Sequence, residues 1–378
     1  PNLEVNAEDG KQLYESLSND DRLHYQRSTI RATQQLFDFG KSNRQVAETE
    51  AVGRQAKALA SAAEAGLLLE ALSAHWSHVR ATKLLEFSRQ SEQSVRRQTD
   101  METSIVELGK GYESNVLQAK VQLSTTESRR LRAEGALDIS SARIKALFGD
   151  AAAKVDYKSL AVVKAGLLPA TLEAAQELAL QNNQQIQVGL NRSQAIQERI
   201  SSTRAKEFFP RLNLVAERST RYNTDGVENV RTFSDSKYYV QFQYNLNAGM
   251  AGGSAVDAVK NDHAASVSRE IETRQLVLEQ VNIAWRNVKV AQENRSTLAN
   301  LVRIAAKYYE MALAERQMGR RTLLEVLSAE LSLINSLSDL VSTETDIAIS
   351  QLTLLQAMGQ LDLNSVELKS TDSVIPKI

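Results

Sequence analysis

Apolar residues recur at helical spacing along most of this chain, and in one region they switch to every second position. From Lys41 to about Glu107 no proline interrupts a run rich in Ala, Leu, Glu, Gln and Arg, and roughly 67 residues at 1.5 Å rise predict a helix of about 100 Å. A second run of that length covers 249–318. Each long helix is followed by a glycine and a shorter helix, predicted over 112–147 and 322–358, and a further helix is predicted over 171–209.

Period two replaces the helical pattern between Pro210 and Gly249. In "YYVQFQYNL" the residues Tyr238, Val240, Phe242, Tyr244 and Leu246 share one face, opposite Tyr239, Gln241, Gln243 and Asn245. "RLNLVAERST" alternates in the same way, so 210–248 reads as a hairpin around a polar loop. A fainter pair, "NLEVNAEDGKQLYE" and "YQRSTIRATQQL" around "SLSNDDR", predicts strands within 1–39. Four strands with one greasy side fit a soluble sheet or a share of a membrane barrel equally, because barrel strands carry weak individual signals.

The helix after Gly319 is more specific. Leu327, Leu331, Ile334, Val341, Ala348, Leu352 and Leu355 form one seven-residue track, and Leu323, Val326, Leu333, Leu337, Leu340, Ile347 and Leu354 form a second beside it. Heptads predict coiled-coil packing, and two adjacent tracks predict neighbours on both sides. An ordinary bundle core would give the same tracks, but helices near 100 Å favour a tubular array or a long coiled coil.

The landmarks also repeat. Gly40 and Gly249, Trp76 and Trp285, and Val79 and Val288 are each 209 residues apart (249 − 40, 285 − 76, 288 − 79). Gly109 and Gly319 are 210 apart (319 − 109), and "GKGYESNVLQAK" matches "GRRTLLEVLSAE" at Gly, Val-Leu and Ala. A duplication follows. The first repeat covers 1–149, a linker 150–170, the second repeat 171–358, and 359–378 closes the chain. Each repeat needs one tight helix reversal, and glycine tolerates the left-handed backbone of such a turn.

Composition removes several function classes. Basic residues number 45 against 46 acidic, a formal charge of −1, which argues against a nucleic-acid partner. The 378 residues include no cysteine, excluding thiolate metal sites and Cys nucleophiles. No stretch of about 18 apolar residues predicts a membrane helix, so a membrane role needs a barrel. "NAGMAGGSAV" lacks both phosphate-loop patterns and reads as a strand-to-helix turn. His75 and His78 share a helix face, but no carboxylate completes a metal motif. No nucleophile elbow or triad is present, so neither an enzyme nor a cofactor is expected.

Duplication, paired hairpins, long helices and glycine junctions together resemble the TolC-like outer-membrane channel family over nearly the whole chain. The most specific piece is "MGRRTLLEVLSAE", similar to that family's Gly-x-Arg-Thr-x-x-(Asp/Glu)-Val-Leu-x-Ala junction, with "LFDFG" and "YNLNAG" in support. The resemblance implies a mainly α fold with β, internally duplicated, whose coiled-coil helices form an α-barrel. It implies a homotrimer in which each protomer gives four strands to a 12-stranded β-barrel in outer-membrane lipid, above a periplasmic tunnel. Gly40 and Gly249 would mark strand-to-helix turns. Gly109 and Gly319, with Val116, Leu117, Ala119, Val326, Leu327 and Ala329, would form tip turns that meet a periplasmic adaptor and an inner-membrane transporter, of ABC type in type I secretion.

Arg321 and Glu325 match the family's basic and acidic aperture positions, while Asn115 stands where an acid is usual and Arg316 where an aromatic is frequent. Four residues apart, Arg321 and Glu325 read either as an exposed helix pair or as part of a constriction. A helix like 171–209 is expected ahead of Pro1. "GRRTLLEVL" looks nearest to the type I secretion branch, including LapE-like proteins that export large adhesins. Multidrug efflux is the alternative duct, and a periplasmic coiled-coil adaptor or scaffold the alternative of another class.

Overall fold

The computed structural model describes residues 1–16, 19–154, 156–222, 232–244 and 251–371. Two compact units emerge, and several long helices contribute to both. The first comprises Pro1–Lys57 and Val188–Ile271, and the second Ala58–Gln187 with the chain from Glu272 onward.

The first unit is built on a four-stranded antiparallel sheet of β1 (Asn2–Ser16), β2 (Asn19–Phe37), β4 (Arg211–Tyr222) and β5 (Thr232–Gln243), in the order β1-β2-β4-β5. The two hairpins of the two repeats therefore join through β2 and β4. Register places Glu4, Arg31, Glu217 and Lys237 in one row across all four strands. On that face Arg31 donates to Glu217 at 2.9 Å, Arg221 pairs with Asp235 at 3.2 Å, and Lys237 pairs with Asp235 at 3.0 Å.

The opposite face carries Leu3, Val5, Ile30, Ala32, Leu214, Ala216, Tyr238, Val240 and Phe242. None of the described residues covers it: Tyr238 is 80% exposed and Phe242 68%. A soluble sheet buries its apolar face and wets the polar one. Here the polar face is satisfied by internal ion pairs and the apolar face is left outward, the arrangement of a barrel wall in lipid. Leu246, expected on that face, and Gly249 lie outside the described residues.

The first hairpin is longer than its sequence suggests. "SLSNDDR" was expected as a loop over 16–22, but β1 runs through Ser16 and β2 begins at Asn19. Beyond the apolar band His24 and Asp9 pair at 2.9 Å, and the backbone ladder continues to Ser16 and Asn19 where the period-two signal has faded.

At its base β2 ends in a tight corner. Asp38 accepts from the backbone of Gly40 and Ser42 at 3.1 and 2.7 Å, and Gly40 takes φ +83° as α1 (Lys41–Glu107) begins. The first repeat continues through α2 (Glu113–Phe148), and the second holds α5 (Ala251–Gln317) and α6 (Leu323–Ala357).

Two expectations need correction. The continuous helix over 171–209 is two helices, α3 (Leu172–Asn182) and α4 (Gln184–Phe208), with Asn183 extended between them. Its amide oxygen accepts from Gln185 N–H at 2.9 Å, capping α4, while its amide nitrogen donates to the Ala357 carbonyl at 2.8 Å. The linker 150–170 and the tail are also partly regular: β3 (Ser159–Val163) pairs antiparallel with β6 (Val366–Ser370). Five-residue strands flanked by polar residues lack a readable pattern.

That small sheet seals the main core of the second unit. Trp76 is 1% exposed and its indole N–H donates to the Ala161 carbonyl at 2.8 Å. Around it pack Phe87, Leu160, Val277, Val281, Leu352 and Leu355 from α1, β3, α5 and α6. Just past the end of α6, Gly359 takes φ +71° and a Cβ there would collide with the Asn182 backbone, so only glycine fits both the turn and the close approach.

Candidate functional site

The duplicated glycine junctions fold into the same reversal twice. At the end of α1 the Gly109 N–H bonds Val106 O at 2.9 Å and the Lys110 N–H bonds Ile105 O at 3.1 Å. At the end of α5 the Gly319 N–H bonds Arg316 O and the Arg320 N–H bonds Glu315 O, both at 2.9 Å. Both are Schellman stops, with φ of +70° and +73° at the glycines. The returning helices then insert their shared residues inward. Ala119 packs with Val95, Leu323 and Leu327, while Val326 and Ala329 pack with Ala312. Val116 is buried too, whereas Leu117 is 59% exposed.

Between these reversals sits a charged clamp. Glu102 on α1, its side chain only 3% exposed, pairs with Arg316 on α5 and accepts from the Asn115 amide on α2 at 3.1 Å. Arg316 also reaches the Arg321 carbonyl at 3.4 Å. Asn115 and Arg316, the two departures from the family pattern, are thus joined through an acid that sequence reading did not single out.

Of the two readings of Arg321 and Glu325, the exposed helix pair does not form. Arg321 precedes the N-cap Thr322, so four-residue spacing does not bring it above Glu325. Its guanidinium folds back onto α5, donating to Glu315 at 2.8 Å and to the Tyr308 hydroxyl at 3.0 Å, and lies 5.2 Å from the Tyr308 ring centroid. Glu325 instead completes a capping box. Its carboxylate accepts the Thr322 N–H at 2.8 Å while Thr322 Oγ1 accepts the Glu325 N–H at 3.4 Å. The Thr322 backbone bond, followed by its hydroxyl, holds the Glu325 carboxyl below its ordinary pKa.

One turn further along α6, Glu330 is 4% exposed. It accepts from Ser94 and Gln98 of α1, each at 3.0 Å, and Tyr309 of α5 reaches Ser94 at 3.4 Å. Burial is the largest influence and pushes this carboxyl upward, against those hydrogen bonds and the nearby Arg97 charge. A folded-state pKa above the ordinary 4.5 makes the group's contribution favourable at low pH and lost as pH rises through the folded value. Glu330→Gln should therefore raise the melting temperature of the detergent-solubilised protein by about 2 °C at pH 7.5 and leave it nearly unchanged at pH 4. An equal shift at both pH values would contradict this.

The remaining candidates are structural. His78 Nδ1 lies 3.0 Å from Ser140 Oγ, and both His75 and His78 pack against the Tyr157 ring. Among the described residues no group of three His, Asp or Glu could hold a metal. Two arginines of α1 and α2 are ion-paired within and across the helices: Arg96 with Glu92 and Glu127, and Arg130 with Glu92 and Glu134.

A sheet with its apolar face outward, joined in sequence to duplicated helical hairpins, defines a channel protein of the outer membrane. The sequence matches the Outer membrane efflux protein family over residues 1–150 and 175–360, and the chain belongs to that family. It is 25% identical to Outer membrane protein TolC of Vibrio cholerae over 84% of this chain and 73% of the relative. It is 22% identical to Alkaline protease secretion protein AprF of Pseudomonas aeruginosa over 92% of this chain and 72% of the relative. Among solved structures, a membrane protein from Pseudomonas aeruginosa superposes with a TM-score of 0.79 at 17% identity, covering 96% of this chain and 83% of that one. The outer membrane protein VceC of Vibrio cholerae gives 0.78 at 19%, covering 95% and 86%.

The protein is accordingly an outer-membrane efflux or secretion channel, a passive conduit and not an enzyme. The adaptor alternative falls with that assignment.

Proposed function

We propose that three copies of this chain close a twelve-stranded barrel in the outer membrane, above a helical tunnel that an adaptor couples to an inner-membrane transporter, and that its cargo is a secreted protein. The observation that carries the duct is the sheet itself. Its outward apolar face and ion-paired inner face suit lipid on one side and water on the other. Free edges on β1 and β5 must find partners to survive in lipid. Protein secretion is favoured by the "GRRTLLEVL" junction and by the likeness to AprF, which is named for protease secretion. Cargo such as a large adhesin, delivered by an ABC-type transporter, fits that reading.

The paired reversals are the periplasmic aperture in this scheme, with Arg316, Arg321, Asn115 and Glu325 at its rim. Light scattering of the solubilised protein should give about three protomers. In planar bilayers Arg321→Glu, which abolishes the bonds to Glu315 and Tyr308, should raise single-channel conductance severalfold and increase cation preference at low salt, where screening is weakest. Conductance and selectivity equal to the parent would remove Arg321 from the constriction. For the cargo, a channel-deficient strain carrying a type I exporter should recover protein secretion when this chain is expressed. Recovery of drug resistance alone would favour the efflux alternative.

A further inference from the structure

The two free sheet edges carry enough pattern to fix how one copy meets the next. Strands alternate in direction through β1-β2-β4-β5, so β5 of one protomer meets β1 of its neighbour antiparallel. The outward face uses odd residues on β1 and even residues on β5, and preserving it across the seam allows only shifts of an even number of residues.

The row Glu4, Arg31, Glu217, Lys237 runs perpendicular to the strands, but the apolar band does not follow it. On β1 the band is Leu3 and Val5, level with the row. On β5 and the residue that follows it, the band is Tyr238, Val240, Phe242 and Tyr244, centred about four residues below the row. Ile30 and Ala32 of β2 are still level with the row, and the descent begins at β4, where Leu212, Leu214 and Ala216 centre about three residues below it. A bilayer is flat, so this descent measures the strand tilt: about four residues over three strand steps. Continuing one step brings the next copy's Leu3 and Val5 between five and six residues down, and the parity rule selects six.

We propose that β5 of one protomer pairs with β1 of the next so that facing residue numbers sum to 247. The proposal rests on the trimeric reading above. Tyr244 then faces Leu3, Phe242 faces Val5, and Val240 faces Ala7, carrying the apolar band unbroken across the seam. On the inner face Tyr239 meets Glu8, and Lys237 stands diagonal to that carboxylate, within reach of its long side chain. All twelve residues of β5 find partners inside β1.

Six residues over four strand spacings correspond to a tilt of about 45°, inside the usual barrel range, whereas eight would exceed it. A shift of four would set Tyr244 opposite Pro1, outside the strand.

The absence of cysteine makes the register directly testable. Three double variants share Val5→Cys and add Phe242→Cys, Val240→Cys or Tyr244→Cys. Facing Cβ atoms lie about 5 Å apart and diagonal ones about 7–8 Å, and only the former approach disulfide geometry. Under mild oxidation the Val5/Phe242 pair should give covalent dimers and trimers on a non-reducing gel at least tenfold more efficiently than the other two, with both single variants silent. Efficient cross-linking through position 240 or 244 instead would overturn the register while leaving the trimer standing. A three-protomer mass with no cross-link in any variant would likewise overturn it. A monomeric mass with no cross-link would overturn the trimer and the seam together.

Discussion

Arg316→Ala should loosen the helix reversals by about 3 kcal/mol, the low end of the cost of breaking a buried ion pair. Removing the guanidinium leaves the Glu102 carboxylate almost fully buried with only the Asn115 amide and no counter-charge, and that one remaining bond is why the low end applies. Exchange of backbone amides at 98–108 and 315–325 should quicken by about a hundredfold in the detergent-solubilised protein. Replacing both partners, Arg316→Leu with Glu102→Leu, should restore most of the protection, since two apolar groups leave no orphaned charge. An exchange rate unchanged in Arg316→Ala would mean that the pair does not hold the three helices together.

Phe242→Arg should cost about 2–4 kcal/mol per protomer if the residue sits near the bilayer midplane, and should abolish heat-stable assembly on a gel. Gln243→Arg, one position along the same strand, should assemble like the parent because it faces the ion-paired side. The contrast depends on register: Phe242 stands opposite Leu212 and Gln243 opposite Arg211. Equal defects in both variants would invert the assignment of the two faces.

The elements that sequence reading found are those with one apolar face. The heptads of α6 were legible because Leu327, Ile334, Val341, Leu352 and Leu355 are buried at regular spacing. Both reversals were legible because the left-handed backbone that stops each helix strongly favours glycine, and Gly109 and Gly319 supply it. The clamp was not. Near its end α1 buries Ser91, Val95, Gln98, Thr99 and Glu102, a stripe with helical spacing but polar chemistry, and a search for apolar periodicity passes over it. Glu330 was hidden in the same way, inside a helix where Glu325, Asp339 and Asp346 face water. Asn183 broke an expected helix because its side chain caps α4 and reaches Ala357, a contact set by a segment 174 residues away.

The polar face of the sheet has a further consequence for whatever moves past it. Glu4, Glu8, Glu217 and Asp235 stand there against Arg27, Arg31, Arg221 and Lys237, interleaved across the strands. Opposed signs a few ångströms apart cancel within about one Debye length, roughly 8 Å at physiological ionic strength. A polypeptide threading along this wall would meet no sustained potential of either sign, so acidic and basic stretches would slide with equal ease. The discrimination between cargoes then belongs to the transporter that loads them, and the wall contributes an electrically indifferent passage.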